Sequence, residues 1–98
     1  MPNFKVSENL KKKICLITGA RTGIGLSIGL TLAKNGYRVI FSGRSVNDCK
    51  DALDELMAKG FEAVETPIDL SNLSSLKQQT EMALSIWGTI DILINNGA

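Results

Sequence analysis

Apolar positions in this chain follow two alternating patterns. Short unbroken apolar runs alternate with longer stretches in which apolar residues recur every three or four positions. The first pattern suits strands covered on both faces and the second suits amphipathic helices. Ile14–Ile17 reads as the first strand. Ile24, Ile28 and Leu32, with Leu26, Leu30 and Ala33, keep helical spacing and predict a helix over Leu26–Asn35. Lys34 suits its last turn and Gly36 its stop. Tyr37–Ser42, rich in β-branched and aromatic residues, is the second strand. Ser45-Val46-Asn47-Asp48 resembles a capping box and opens a second helix, with Cys49, Ala52, Leu53 and Leu56 on its apolar face and Gly60 at its end. Phe61–Thr66 is the third strand. Pro67 lacks a ladder donor, which puts it at the strand end or on an edge. Ser71 or Asn72 caps a third helix that turns Leu73, Leu76, Thr80, Ala83, Leu84 and Trp87 to the sheet and stops at Gly88. Ile90–Asn95 is the fourth strand.

The order βαβαβαβ, with right-handed crossovers, implies an α/β fold, a Rossmann-like doubly wound parallel sheet. Its expected strand order is 3-2-1-4, with a crevice between the first and fourth strands. The segment Thr18-Gly19-Ala20-Arg21-Thr22-Gly23-Ile24-Gly25 links the first strand to the first helix and opens at that crevice. Glycines here permit a tight turn and let a pyrophosphate approach the backbone. The unpaired N–H groups of the following helix would then face the phosphates. A structural turn without a ligand is the plainer alternative.

Composition narrows the field. The chain has 98 residues, 44% of them hydrophobic, and a net charge of +1, as in an ordinary one-domain globular protein. Such a balance gives no electrostatic case for nucleic acid or membrane partners. There is no histidine, hence no histidine base or ligand. Cys15 and Cys49 have no metal or redox spacing and read as reduced core residues of a cytoplasmic protein. Residues 1–12 read as a lead segment, with no evident signal peptide, and 13–98 as the binding domain.

The spacing T-G-x-x-x-G-I-G at Thr18–Gly25 resembles the short-chain dehydrogenase/reductase family. Asp69-Leu70-Ser71, Trp87-Gly88 and Asp91–Asn96 resemble further motifs of that family, in order, so the resemblance covers residues 13–98. It is confined to the family's amino-terminal, cofactor-binding part. It implies an oxidoreductase that passes hydride between a nicotinamide and a small carbonyl or alcohol substrate. The cofactor residues it implies are Gly19, Arg21, Thr22, Gly23, Ile24, Gly25, Arg44, Asp69, Leu70 and Asn96. Asp69 and the Leu70 N–H would meet adenine, although Asp69 also suits a turn or cap. Asn96 would touch the ribose beside the nicotinamide, Asn95 would brace the sheet, and Thr18 would brace the loop.

Arg44 sets the expected cofactor. Gly43 stands where the family's NAD enzymes carry an acid, and Arg44 follows. A guanidinium holds a 2′-phosphate through charge-assisted hydrogen bonds, about 1.5–3 kcal/mol each, so NADP is expected rather than NAD. Arg21 either adds a second phosphate contact or points to solvent.

The sequence departs from the family at Asn95-Asn96-Gly97-Ala98, where the final two residues are exchanged. If the last position needs positive φ, Ala98 carries about 1–2 kcal/mol of strain. No Tyr-x-x-x-Lys is present, since the fourth residue after the sole tyrosine, Tyr37, is Phe41. The expectation is therefore the cofactor half of a longer, homo-oligomeric enzyme, with Ile92 and Ile94 poorly covered on an open edge strand. Alone, such a half would be marginal, aggregating or oligomeric. The alternative is a non-catalytic dinucleotide-binding or interaction module.

Overall fold

The computed structural model describes residues 13–20, 23–43, 50–69 and 71–96. Its elements run β1 (Ile14–Thr18), α1 (Gly23–Lys34), β2 (Arg38–Gly43), α2 (Lys50–Ala58), β3 (Ala63–Pro67), α3 (Leu73–Trp87) and β4 (Ile92–Asn95). The four strands form one parallel sheet in the order β3-β2-β1-β4. This is the expected doubly wound arrangement, with every carboxyl strand end on one rim.

Alternation along the strands divides the core between two faces. Ile17, Val39, Phe41 and Ala63 pack with Leu53 and Leu56 of α2 and with the apolar face of α1. Ile14, Leu16 and Ile40 pack on the opposite face with Leu76, Ala83, Ile86 and Trp87 of α3. β1 is buried along its whole length, as expected of a central strand.

Several boundaries differ from the pattern-based expectation, each for a local reason. α1 begins at Gly23, so Gly23 and Gly25 belong to its first turn rather than to the preceding loop. Tyr37 lies just before β2 and packs beside the α1 face. Phe61 is outside β3, where its N–H instead closes the end of α2 on the Leu56 carbonyl. Pro67 is the last residue of edge strand β3, opposite Gly43. Ile90 precedes β4, because Asp91 makes the first join: its N–H donates to the Ile14 carbonyl and its Oδ2 accepts from the Ile14 N–H, both at 2.9 Å.

Asn72 caps α3 by position but not by a side-chain bond. Its Oδ1 accepts from the Ser74 hydroxyl at 2.7 Å instead. Two residues expected on the buried face of α3 are exposed, Leu73 by 78% and Leu84 by 42%. Leu73 opens the helix before it reaches the sheet. Leu84 lies about 100° around the helix from buried Ala83. On edge strand β4 the exposed apolar residue is Leu93, at 63%, whereas Ile92 and Ile94 are half-buried. The expectation had the right strand and the wrong face. The capping box and Cys49 lie outside the described residues.

Candidate functional site

The carboxyl ends of β1 and β4 lie side by side because Thr18 pairs in register with Asn95. The chain leaves β1 through Gly19, whose φ is +62°. An L side chain is disfavoured there by about 1–2 kcal/mol. Buried Ala20 then donates its N–H to the Ser42 carbonyl at 2.9 Å. The Ser42 hydroxyl in turn donates to the Ile17 carbonyl at 2.7 Å, inside the protein. β2 therefore anchors the turn from one side.

β4 anchors it from the other. Thr18 Oγ1 donates to Asn95 Oδ1 and accepts from the Asn96 N–H, each at 3.1 Å. Asn96 Nδ2 donates to the Gly19 carbonyl at 3.1 Å. A Cβ on Gly25 would lie 2.5 Å from both that carbonyl and Asn96 Nδ2. Only glycine lets the start of α1 sit this close to the turn. Gly23 differs: its φ is +62°, and a Cβ there would meet nothing within 4 Å among the described residues. Ile24 beside it is 73% exposed. The mouth of α1 thus opens outward.

No acidic residue stands in the first turn of α1. The leading N–H groups of the helix and the positive end of its dipole therefore have no carboxylate there to offset them. Backbone donors in a glycine turn, with open space in front, suit the oxygens of a pyrophosphate. A dinucleotide fits this donor set.

The same rim carries a second structured turn. Ile68 donates its N–H to the Gly43 carbonyl at 2.7 Å, and the chain then leaves the sheet. The Asp69 N–H donates to Gln79 Oε1 of α3 at 3.0 Å. Asp69 Oδ1 accepts from the N–H and hydroxyl of Ser71 at 3.0 and 2.6 Å. The turn role of Asp69 is therefore present in the structure.

The short chain dehydrogenase family profile matches residues 13–98. The chain belongs to the short-chain dehydrogenase family. It is 33% identical to an uncharacterized oxidoreductase of Bacillus subtilis over 91 residues, 93% of this chain and 26% of that protein. Its fold resembles an actinorhodin polyketide ketoreductase solved with NADPH, at TM-score 0.78 and 30% identity over 91% of this chain and 34% of the other. It also resembles a metagenomic short-chain oxidoreductase in complex with NADP, at TM-score 0.79 and 31% identity over 88% and 39% of the two chains. The chain thus spans about a quarter to two-fifths of these relatives.

In this member of the short-chain dehydrogenase family, Gly19, Gly23, Ile24, Gly25 and Asn96 gather where α1 meets the ends of β1 and β4. Asp69 lies farther along the same rim, after edge strand β3. Arg21, Thr22, Arg44 and Leu70 lie outside the described residues, as do Gly97 and Ala98. Four residues shape the rim and its strands in ways the pattern did not assign: Gly29 and Gln79, and Ser42 and Asp91, which it placed in strands without a bonding role. Gly29 carried a signal, since it follows Gly25 by one helical turn and faces Phe41. Asp91 carried another, as the acid immediately before the fourth apolar run. Among the described residues, no helix is long and apolar enough to cross a membrane.

Proposed function

We propose that residues 13–98 form an NADP(H)-binding domain of an oxidoreductase that reduces a carbonyl, or oxidises an alcohol, on a small molecule. One observation carries this reading. The glycine turn and the open start of α1 lie at the switch point of the 3-2-1-4 sheet, fastened from both sides by Ser42 and Asn96. In this reading Gly19, Thr22, Gly23, Gly25 and the Ile24 N–H receive the pyrophosphate, Asp69 and the Leu70 N–H receive adenine, and Asn96 meets the nicotinamide ribose.

NADP is favoured over NAD because β2 ends in Gly43 with no acid to hold the ribose hydroxyls, and the cation Arg44 follows. Arg21, in the glycine segment, is a second candidate cation for the same phosphate. The ketoreductase solved with NADPH and the short-chain oxidoreductase in complex with NADP support the same choice. When bound, the nicotinamide supplies or accepts the hydride. These residues bind and orient it. The buried, free Cys15 thiol agrees with a reducing, cytoplasmic setting.

Equilibrium titration of the intact protein with NADPH, read by nicotinamide fluorescence and competed with adenosine 2′,5′-bisphosphate, tests the reading. Saturable binding displaced by the bisphosphate is expected. Absence of binding would overturn it.

A further inference from the structure

We infer that Gln79 is a positioning residue for the adenine end of the cofactor site, acting through the backbone of Asp69. The inference rests on the reading of the Asp69 turn as the adenine subsite.

The backbone donors that follow β3 are few. Pro67 has no N–H, and the Ile68 N–H is spent on the Gly43 carbonyl. The Asp69 N–H is the next donor, at the point where the chain parts from the sheet. It has no strand carbonyl ahead of it, because β3 is an edge strand that ends at Pro67. A half-buried donor left without a partner is costly. Gln79, a half-buried residue of α3, meets it with Oε1 at 3.0 Å.

This bond fixes more than one atom. The Asp69 carbonyl accepts from the Asn72 N–H at 3.1 Å, and the Asp69 carboxylate accepts twice from Ser71. Asn72 and Ser71 thus hold the Asp69 carbonyl and carboxylate, and Gln79 reaches the N–H of the same residue from within α3. Helix α3 is seated on the sheet by Leu76, Ala83 and Trp87. Gln79 transmits that rigid seat to the Asp69 backbone and so to the direction of the Asp69 carboxylate. An apolar residue at position 79 would remove this acceptor and loosen the hold of α3 on the Asp69 backbone, leaving only the local bonds to Ser71 and Asn72. Such preorganisation appears as ligand affinity, because the ordering cost is met before binding.

The inference predicts a selective loss. In the intact protein, Gln79→Leu weakens NADPH and adenosine 2′,5′-bisphosphate by the same factor, about three- to tenfold for one lost hydrogen bond. It leaves binding of nicotinamide mononucleotide and kcat at saturating NADPH unchanged. Gln79→Glu keeps an acceptor at the same reach and restores affinity to within about twofold of wild type. Hydrogen exchange gives a second readout: the Asp69 amide loses protection in Gln79→Leu and regains it in Gln79→Glu, while the Leu16 and Ile40 amides stay protected in both. Equal affinity of wild type and Gln79→Leu for the bisphosphate would overturn the role of Gln79. So would equal weakening of the bisphosphate and the mononucleotide. Failure of wild type to bind either NADPH or the bisphosphate would instead overturn the site reading on which the inference rests.

Discussion

Thr18 Oγ1 lies 3.1 Å from Asn95 Oδ1, so a hydroxyl on β1 is donated to the neighbouring strand β4. The same oxygen accepts the Asn96 N–H and thereby aligns the side chain that holds Gly19. Thr18→Val keeps the shape and removes both bonds. Each is worth about 0.5–1.5 kcal/mol, and the Asn96 N–H loses its acceptor. Urea unfolding should register a loss of about 1–3 kcal/mol. NADPH affinity should fall several-fold, and Thr18→Ser should preserve most of both. Unaltered stability in Thr18→Val would show that the bond is incidental.

Gly29 and Phe41 make a comparable close fit. A Cβ at Gly29 would overlap Phe41 Cε2 and lie 2.7 Å from Cζ, and the ring is fully buried. Alanine normally favours a helix interior over glycine by about 1 kcal/mol. Here overpacking, at about 1–3 kcal/mol, opposes and exceeds that gain. Gly29→Ala should therefore lower the urea midpoint, and Phe41→Leu in the same chain should recover part of the loss. A raised midpoint in Gly29→Ala would mean that helix propensity governs this position.

These two contacts mark what the sequence could and could not disclose. Periodicity was enough for a parallel, doubly wound sheet, since apolar runs alternate with helical spacing and crossovers are right-handed; the order 3-2-1-4 follows from the dinucleotide-binding arrangement. The glycine spacing located the turn. It did not disclose that Gly23 and Gly25 already belong to α1, because glycine is a poor helix former; Gly25 is there for space and Gly23 for its φ of +62°. Nor did it assign a purpose to Gly29, which depends on a ring twelve residues away in the chain. The apolar stripe of α3 is wider than the seam the four strands cover, so Leu73 and Leu84 counted as core and are exposed. Gln79 reads in sequence as one more solvated polar residue. Its bond to Asp69 exists only after β3 has ended at the sheet edge.

Cys15 gives the fold a pH dependence. Burial pushes its thiol from 9.0 to about 11, and the Asp91 carboxylate pushes in the same direction. The protonated thiol is therefore favoured in the folded state. The stability it lends is complete below about pH 9 and is lost as pH rises through about 11, a total of about 2–3 kcal/mol. Between those values wild type should lose stability faster than Cys15→Ala. Parallel urea midpoints for the two proteins across that window would contradict the assignment.

The proposed preference for NADP over NAD rests on Arg44, which follows Gly43 at the end of β2. Calorimetric titration of the intact wild-type protein and of Arg44→Asp, with NADPH and NADH in parallel, tests it most directly. Wild type should bind NADPH at least about tenfold more tightly than NADH, the equivalent of one charge-assisted hydrogen bond to the 2′-phosphate. Arg44→Asp should reverse the order, since a carboxylate repels the phosphate and accepts from ribose hydroxyls. An unchanged NADPH-to-NADH affinity ratio in Arg44→Asp would contradict the account.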